Sequence, residues 1–216
     1  MAKLEANTGE VELSSTVGLT PANQNSSACV APGRGPNADY FPNVVVQTHD
    51  GQKALFYDDL LRNRTVLINS MSIRDRDCAV IRNLLKVQKL LGNRQGTEIF
   101  IYSLTTDPDY DNVERLRKFA EVHGVQQGWW LVTGRPQAVD SIRQRLFTHA
   151  NKEDADAAED CSMMMMRYGN EKLGIWGSVP GTISPEWIVT RLSWLHPCAV
   201  RTGTPVRRGP FPPRNA

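Results

Sequence analysis

The side chains with the most chemistry to offer in this chain are four cysteines, Cys29, Cys78, Cys161 and Cys198, and they stand far apart. There is no Cys-x-x-Cys pair, so neither a zinc ribbon nor a local dithiol can be read, and any pairing among them must be made by the fold. Cys78 has the most informative surroundings. In "SMSIRDRDCAV", residues 70–80, a short strand runs into a charged turn and the cysteine stands at the head of an amphipathic helix. The positive end of that helix and the guanidinium of Arg74, one helical turn earlier, both favour a thiolate at Cys78. Arg76 adds to this, while Asp75 and Asp77 offset it.

Methionine thioethers are soft ligands, and "MMMM" at 163–166 offers them in a row. Alternate residues of a strand face opposite sides, so at most two of these could address one site. Filling gaps in a core is the commoner use of such methionines, and Met71 is read the same way. In "DPDYD", residues 107–111, Asp107 follows a buried strand, at the end of the sheet where α/β proteins place their sites. Turn formation at Pro108 and helix capping by Asp111 would explain both acids without function. Trp129, Trp130 and Trp176 are expected to pack rather than to form a ligand platform. Asn63-Arg64-Thr65 matches a glycosylation sequon of a kind common by chance.

The elements that must position these residues alternate along the chain. "NVVVQT" and "KALFY" predict a strand pair turned around Asp50-Gly51, and "TVLINS" a buried strand. The helix after Cys78 carries Val80, Leu84, Val87 and Leu91 at helical spacing, widened by Ile81 and Leu85. "EIFIYSL" is another buried strand. Asp111, answered by Glu114 three residues on, is expected to cap the next helix, which Gly124 ends. "WWLVTG" follows as a strand, and Pro136 opens a helix with Val139, Ile142 and Leu146 on one face. "SMMMMRY" and "KLGIW" read as strands joined at Gly169-Asn170. Ser184-Pro185-Glu186 starts a final helix with a stripe of Ile188, Leu192 and Leu195. Alternating strands and helices ending in a hairpin and a helix imply an α/β sandwich around a mixed sheet.

The bulk numbers agree with one domain plus tails: 216 residues, 40% apolar and 22% charged. A net charge of +2, without a basic stripe interleaved with aromatics, gives no support for nucleic acid as a partner. No stretch reaches the roughly 20 apolar residues of a membrane helix. "MAKLEANTGEVELSS" lacks the apolar run of a signal peptide, so as written the chain reads as cytosolic, or its targeting segment has been removed. Residues 1–38 are predicted to be a flexible tether, 39–196 the folded domain and 197–216 a Pro/Arg-rich tail.

From about residue 40 to 195 the chain resembles the SCO/SenC family, thioredoxin-like copper-binding proteins of cytochrome c oxidase assembly. The phrases that carry the resemblance are "DGQKALFYDDLLRNRTVLINS", "SLTTDPDYDNVERLRKFAEVHG", "WWLVTG" and "RYGNEKLGIW". It implies a thioredoxin-like fold, a central mixed β-sheet flanked by helices, with an N-terminal β-hairpin. It also implies residence outside the cytoplasm, in a periplasm-like space, and a protein partner in respiratory or copper-linked assembly. The family's site is two cysteines in Cys-x-x-x-C on the first turn plus a histidine just before the hairpin, a set suited to Cu(I). Here the second cysteine falls on Cys78 but the first falls on Arg74. The histidine position falls near Asp160-Cys161-Ser162, and none of His49, His123, His149 or His196 lies there. A guanidinium has only donors and a permanent charge, so Arg74 cannot ligate copper and repels Cu⁺. The implied cofactor is therefore copper held weakly or lost.

Three readings of Cys78 follow. It forms a disulfide with Cys161 across the turn and the hairpin; it shares a residual Cu(I) site with Cys161 and a methionine; or it is a thiol packed without chemistry. The functions that go with them are a SCO/SenC-like accessory or scaffold protein with a degenerate copper site, a thiol-disulfide oxidoreductase or peroxidase using Cys78 with Cys161, and a Cu(I) carrier with Cys78, Cys161 and methionine ligands. The first is expected to act by binding a partner rather than by turnover.

Overall fold

The computed structural model describes residues 33–74, 78–147 and 165–195. All lie within the compact unit Pro32–Ala216. Most of the expected tether, the whole C-terminal tail, the acidic stretch 151–160 and Cys161 lie outside the described residues.

Seven strands form one mixed sheet: β1 (Val45–Thr48), β2 (Lys53–Leu55), β3 (Thr65–Met71), β4 (Ile99–Thr105), β5 (Trp129–Gly134), β6 (Met165–Asn170) and β7 (Ile175–Pro180), in the order β2-β1-β5-β4-β3-β6-β7. β3, β4 and β5 run parallel at the centre, and the flanking pairs are antiparallel. The parallel strands are covered on both faces, which is why they read as unbroken apolar runs rather than alternating ones. Leu67, Ile99, Ile101, Trp129 and Leu131 meet α1 (Ala79–Leu91), α2 (Val113–His123) and α4 (Pro185–Leu195). Val66, Ile68, Tyr102 and Val132 point the other way, toward α3 (Pro136–Phe147) and a helical turn at Phe56–Leu61.

Three local expectations are corrected. "KALFY" is strand only through Leu55; Phe56–Leu61 closes a π-helical turn that buries Phe56, Tyr57, Leu60 and Leu61 at helical spacing, with the Asp59 Oδ2 accepting from the Leu55 N–H at 2.6 Å. Gly169-Asn170 lies inside β6, and the hairpin turns at residues 171–174, where Gly174 takes the left-handed φ of +65°. Gly169 is needed for close approach instead, since a Cβ there would lie 2.4 Å from the Trp176 ring. Third, α2 is capped by Asn112, whose side chain accepts from the Arg115 N–H at 2.9 Å, and not by Asp111.

β1 and β2 form the N-terminal hairpin around Asp50-Gly51, and Gly124 ends α2 in the left-handed conformation at φ +67°. Trp129, Trp130 and Trp176 all pack, and Trp129 donates its indole N–H to Ser103 Oγ at 2.9 Å, which in turn donates to Asn69 Oδ1 at 2.6 Å. Tertiary contacts begin before residue 39: the Gly35 N–H donates to the buried carboxylate of Glu171 at 2.6 Å.

Candidate functional site

β3 and β4 are parallel neighbours, with Met71 opposite Thr105, so the loops that leave their C-terminal ends lie side by side. The Thr106 N–H donates to Met71 O at 2.8 Å, and the Ile73 N–H donates more weakly to Asp111 Oδ2 at 3.4 Å. Asp111 is the pivot. It is fully buried, its Oδ2 also accepts from Thr105 Oγ1 at 2.5 Å, and its Oδ1 has no hydrogen-bond partner. Burial pushes its carboxyl above the ordinary carboxylate range, the nearby Asp107 charge adds to that, and the hydrogen bonds it accepts oppose it.

Arg74 stands in the first of these loops. Its guanidinium pairs with Asp107 Oδ2 at 3.2 Å and lies 4.1 Å from the centre of the Tyr110 ring. Arg115 from α2 also lies 4.1 Å from that ring and donates to Tyr110 O at 2.9 Å. Asp107 is fixed from below, its N–H donating to Thr105 Oγ1 at 3.0 Å and its Oδ1 accepting from the Tyr110 N–H at 3.3 Å. The expected placing of Asp107 at the sheet's C-terminal edge is therefore realised, with Arg74 as its partner. Tyr110 and Arg115 belong to the same cluster, and no sequence pattern singled them out.

Cys78 precedes α1 as its cap residue. It is buried in the cluster that holds Met71, Val80, Ile81 and Met166, and it is disulfide-bonded. Cys29, Cys161 and Cys198 lie outside the described residues, as do Asp160, Ser162, Met163 and Met164. Of the two described methionines in the run, Met166 is fully buried and Met165 is 43% exposed, as strand alternation requires. His123 stacks on Phe119 at 4.1 Å at the end of α2. His49 sits at the turn between β1 and β2, its Nδ1 accepting from the Leu131 N–H at 3.2 Å; burial holds its pKa below the usual imidazole value.

Copper does not fit the described residues of this loop. Arg74 offers only N–H donors, the Cys78 sulfur is taken by its disulfide, and among the described residues no group of three His, Cys, Asp or Glu side chains could hold a metal. As built, the site can hold a loop, present two aromatic-stacked arginines, Arg74 and Arg115, and undergo thiol-disulfide chemistry if the Cys78 bond opens.

Residues 78–175 match the SCO1/SenC family model. Among solved structures, the chain is similar to BsSco, described for its disulfide switch and as a member of the Sco family of cytochrome c oxidase assembly proteins. The identity is 16% over 70% of this chain and 90% of that one, with a TM-score of 0.56. It is similar to a SCO1/SenC family lipoprotein from Bacillus anthracis at 16% identity, 72% and 94% coverage and a TM-score of 0.55. It is also similar to copper-bound yeast Sco1 at 12% identity, 76% and 94% coverage and a TM-score of 0.54. No curated protein sequence matches it. At these identities the structural likenesses speak to the fold, which is thioredoxin-like: a mixed sheet flanked by helices, with the β1–β2 hairpin at its N-terminal side.

Proposed function

We propose that this chain, whose residues 78–175 match the SCO1/SenC family model, is a member of that family and works as an accessory or scaffold protein in respiratory oxidase or copper-linked assembly, with a degenerate copper site. Its role is to bind a protein partner rather than to carry the metal. The observation that carries this reading is the state of Arg74. The residue that stands where the resemblance expects a cysteine ligand is a cation, engaged with Asp107 and Tyr110. A permanent charge there opposes Cu⁺ and cannot be titrated away. Cys78 is proposed to pair with Cys161, joining the loop after β3 to the segment before β6. A disulfide at Cys78 supports residence in an oxidising, extracytoplasmic compartment. Residues 35–38 pack against the domain, with Ala38 in its core, so the proposed N-terminal tail ends before Gly35, and 197–216 is proposed as the C-terminal tail.

The test is an anaerobic Cu(I) titration against a competing chelator, on the reduced parent and on Cys78→Ser. The expected result is that neither retains copper. Retention by the parent that is lost in Cys78→Ser would overturn the reading in favour of a Cu(I) carrier using Cys78, Cys161 and methionine.

A second reading, thiol-disulfide oxidoreductase or peroxidase, is favoured by the disulfide itself, since Cys78 would be the attacking thiol and Cys161 its resolving partner. Insulin-disulfide and peroxide turnover separate the two. Turnover abolished in Cys78→Ser would establish the enzyme, and turnover absent or unchanged would exclude it.

A further inference from the structure

At the end of the parallel strands opposite to Cys78 lies a cavity of about 690 Å³, bounded by the β1–β2 hairpin, the turn leading into β3 and the segment leading into β5. Arg64, Lys53, His49, Trp130 and Gln126 are among its walls. The cationic groups differ from the acidic ones in how they are satisfied. Asp50 Oδ1 accepts from the Thr48 hydroxyl and from the Gln52 N–H, and Asp59 Oδ2 accepts from the Leu55 N–H. Lys53 has no ion-pair partner among the described residues.

Arg64 is half-buried and held from two sides. Its Cζ lies 4.6 Å from the centre of the Phe100 ring, and its Nη1 donates to the Tyr102 hydroxyl at 2.7 Å. That partner brings no charge: burial pushes the Tyr102 pKa up to about 12, so the phenol stays neutral, and Arg64 has no ion-pair partner among the described residues. A guanidinium fixed in place with donors to spare is pre-organised for a carboxylate or phosphate fork. Beside it, Trp130 stacks with Tyr102 at 5.7 Å and Phe100 at 6.1 Å, so its ring is a rigid wall rather than a mobile side chain. The Nδ1 of His49 is occupied as an acceptor, which leaves Nε2–H as a donor.

We propose that this cavity is a binding site for a small organic anion with a planar body, its carboxylate or phosphate on Arg64 and Lys53 and its plane against Trp130. The site stands apart from the Cys78 loop, because Arg64 precedes β3 while Arg74 and Cys78 follow it. It therefore does not depend on the copper or thiol chemistry of that loop.

The test is an amide and tryptophan-indole NMR titration of the full chain with benzoate, phenyl phosphate and the neutral analogue benzamide. Saturable shifts around Gln126, Gln127 and Trp130 are expected with one or both anions, at least about tenfold tighter than with benzamide, a difference equivalent to about 1.4 kcal/mol. Arg64→Gln and, separately, the exposed Lys53→Gln are each expected to weaken anion binding severalfold while leaving the remaining spectrum unchanged. The Lys53 side chain is exposed and has no ion-pair partner among the described residues, so its variant remains informative if Arg64→Gln perturbs the fold. No saturable shifts with either anion, equal affinity for benzamide, or affinity unmoved in the folded variants would overturn the proposal.

Discussion

Glu171 offers the sharpest test of how this fold is tied together. Its side chain is buried at the turn between β6 and β7. One oxygen accepts from the Gly35 N–H at 2.6 Å and from the Tyr57 hydroxyl, and the other accepts from the Asn63 N–H at 2.8 Å. Three segments distant in sequence thus converge on one carboxylate. Glu171→Gln keeps the shape and one acceptor oxygen, but it turns an amide NH₂ toward the Asn63 N–H, so one charge-assisted bond is lost and two donors face each other. At about 1.5–3 kcal/mol for a hydrogen bond to a charged group, plus the cost of a buried donor left unmet, the expected loss is about 2–4 kcal/mol. For a domain of this size that is a fall of roughly 5–15 °C in Tm. Thermal unfolding followed by near-UV circular dichroism reads it directly. Asp140→Asn serves as control, since Asp140 is 56% exposed beside Arg143 and its loss should stay within about 0.5 kcal/mol. A Glu171→Gln loss below about 1 kcal/mol, or one no larger than the control, would refute the argument that this carboxylate anchors the N-terminal arm.

The raised pKa of Asp111 makes a prediction with a definite sign. An acid whose folded pKa lies above its unfolded value contributes stability that is fully present below the ordinary value of 3.8 and is lost as pH rises through the folded pKa. Urea denaturation across the acid range should therefore show the parent gaining on Asp111→Asn as pH falls, and a difference independent of pH would show that burial does not govern this group. Arg74→Ala removes a half-exposed ion pair and a stacked ring contact, so once solvent screening is allowed for the expected cost is about 1 kcal/mol, smaller still in high salt. A loss above about 3 kcal/mol in urea unfolding would mean that Arg74 holds the loop itself.

The central strands were legible because burial on both faces leaves an unbroken apolar run, as in "TVLINS" and "EIFIYSL". Helix α1 was legible because its stripe from Val80 to Leu91 matches the helical period. The cap of α2 was misplaced by one residue because Asp111 and Asn112 are both good capping types. Only burial distinguishes them, and Asp111 is drawn inside by Thr105 at the end of β4 and by Ile73 in a different loop. The β6–β7 turn was displaced for a similar reason: Gly169 looks like a turn residue, but its missing side chain makes room for Trp176. At the site, the strand–turn–helix pattern located Cys78 and Arg74. The contact of Arg74 with Tyr110 could not be read, since it depends on two loops that meet only because β3 and β4 are parallel neighbours.

The loop after β3 separates two jobs that a metal site would combine. Its backbone is held by Thr106 to Met71 and by Asp111 to Ile73, contacts made at or near the buried end of the sheet. Arg74 reaches outward, with 59% of its side chain exposed, and satisfies its charge on Asp107 and Tyr110. The buried contacts carry the larger energies, because unmet polar groups are costly only away from water, whereas the exposed pair is screened. A substitution at position 74 therefore changes the chemistry there without removing the buried contacts. On the proposed reading, that is the physical route by which the chain presents a cation where the resemblance expects a thiolate while residues 78–175 keep their match to the SCO1/SenC family model. On that reading a protein partner would contact this end of the sheet, whereas a Cu⁺ ion would meet a guanidinium.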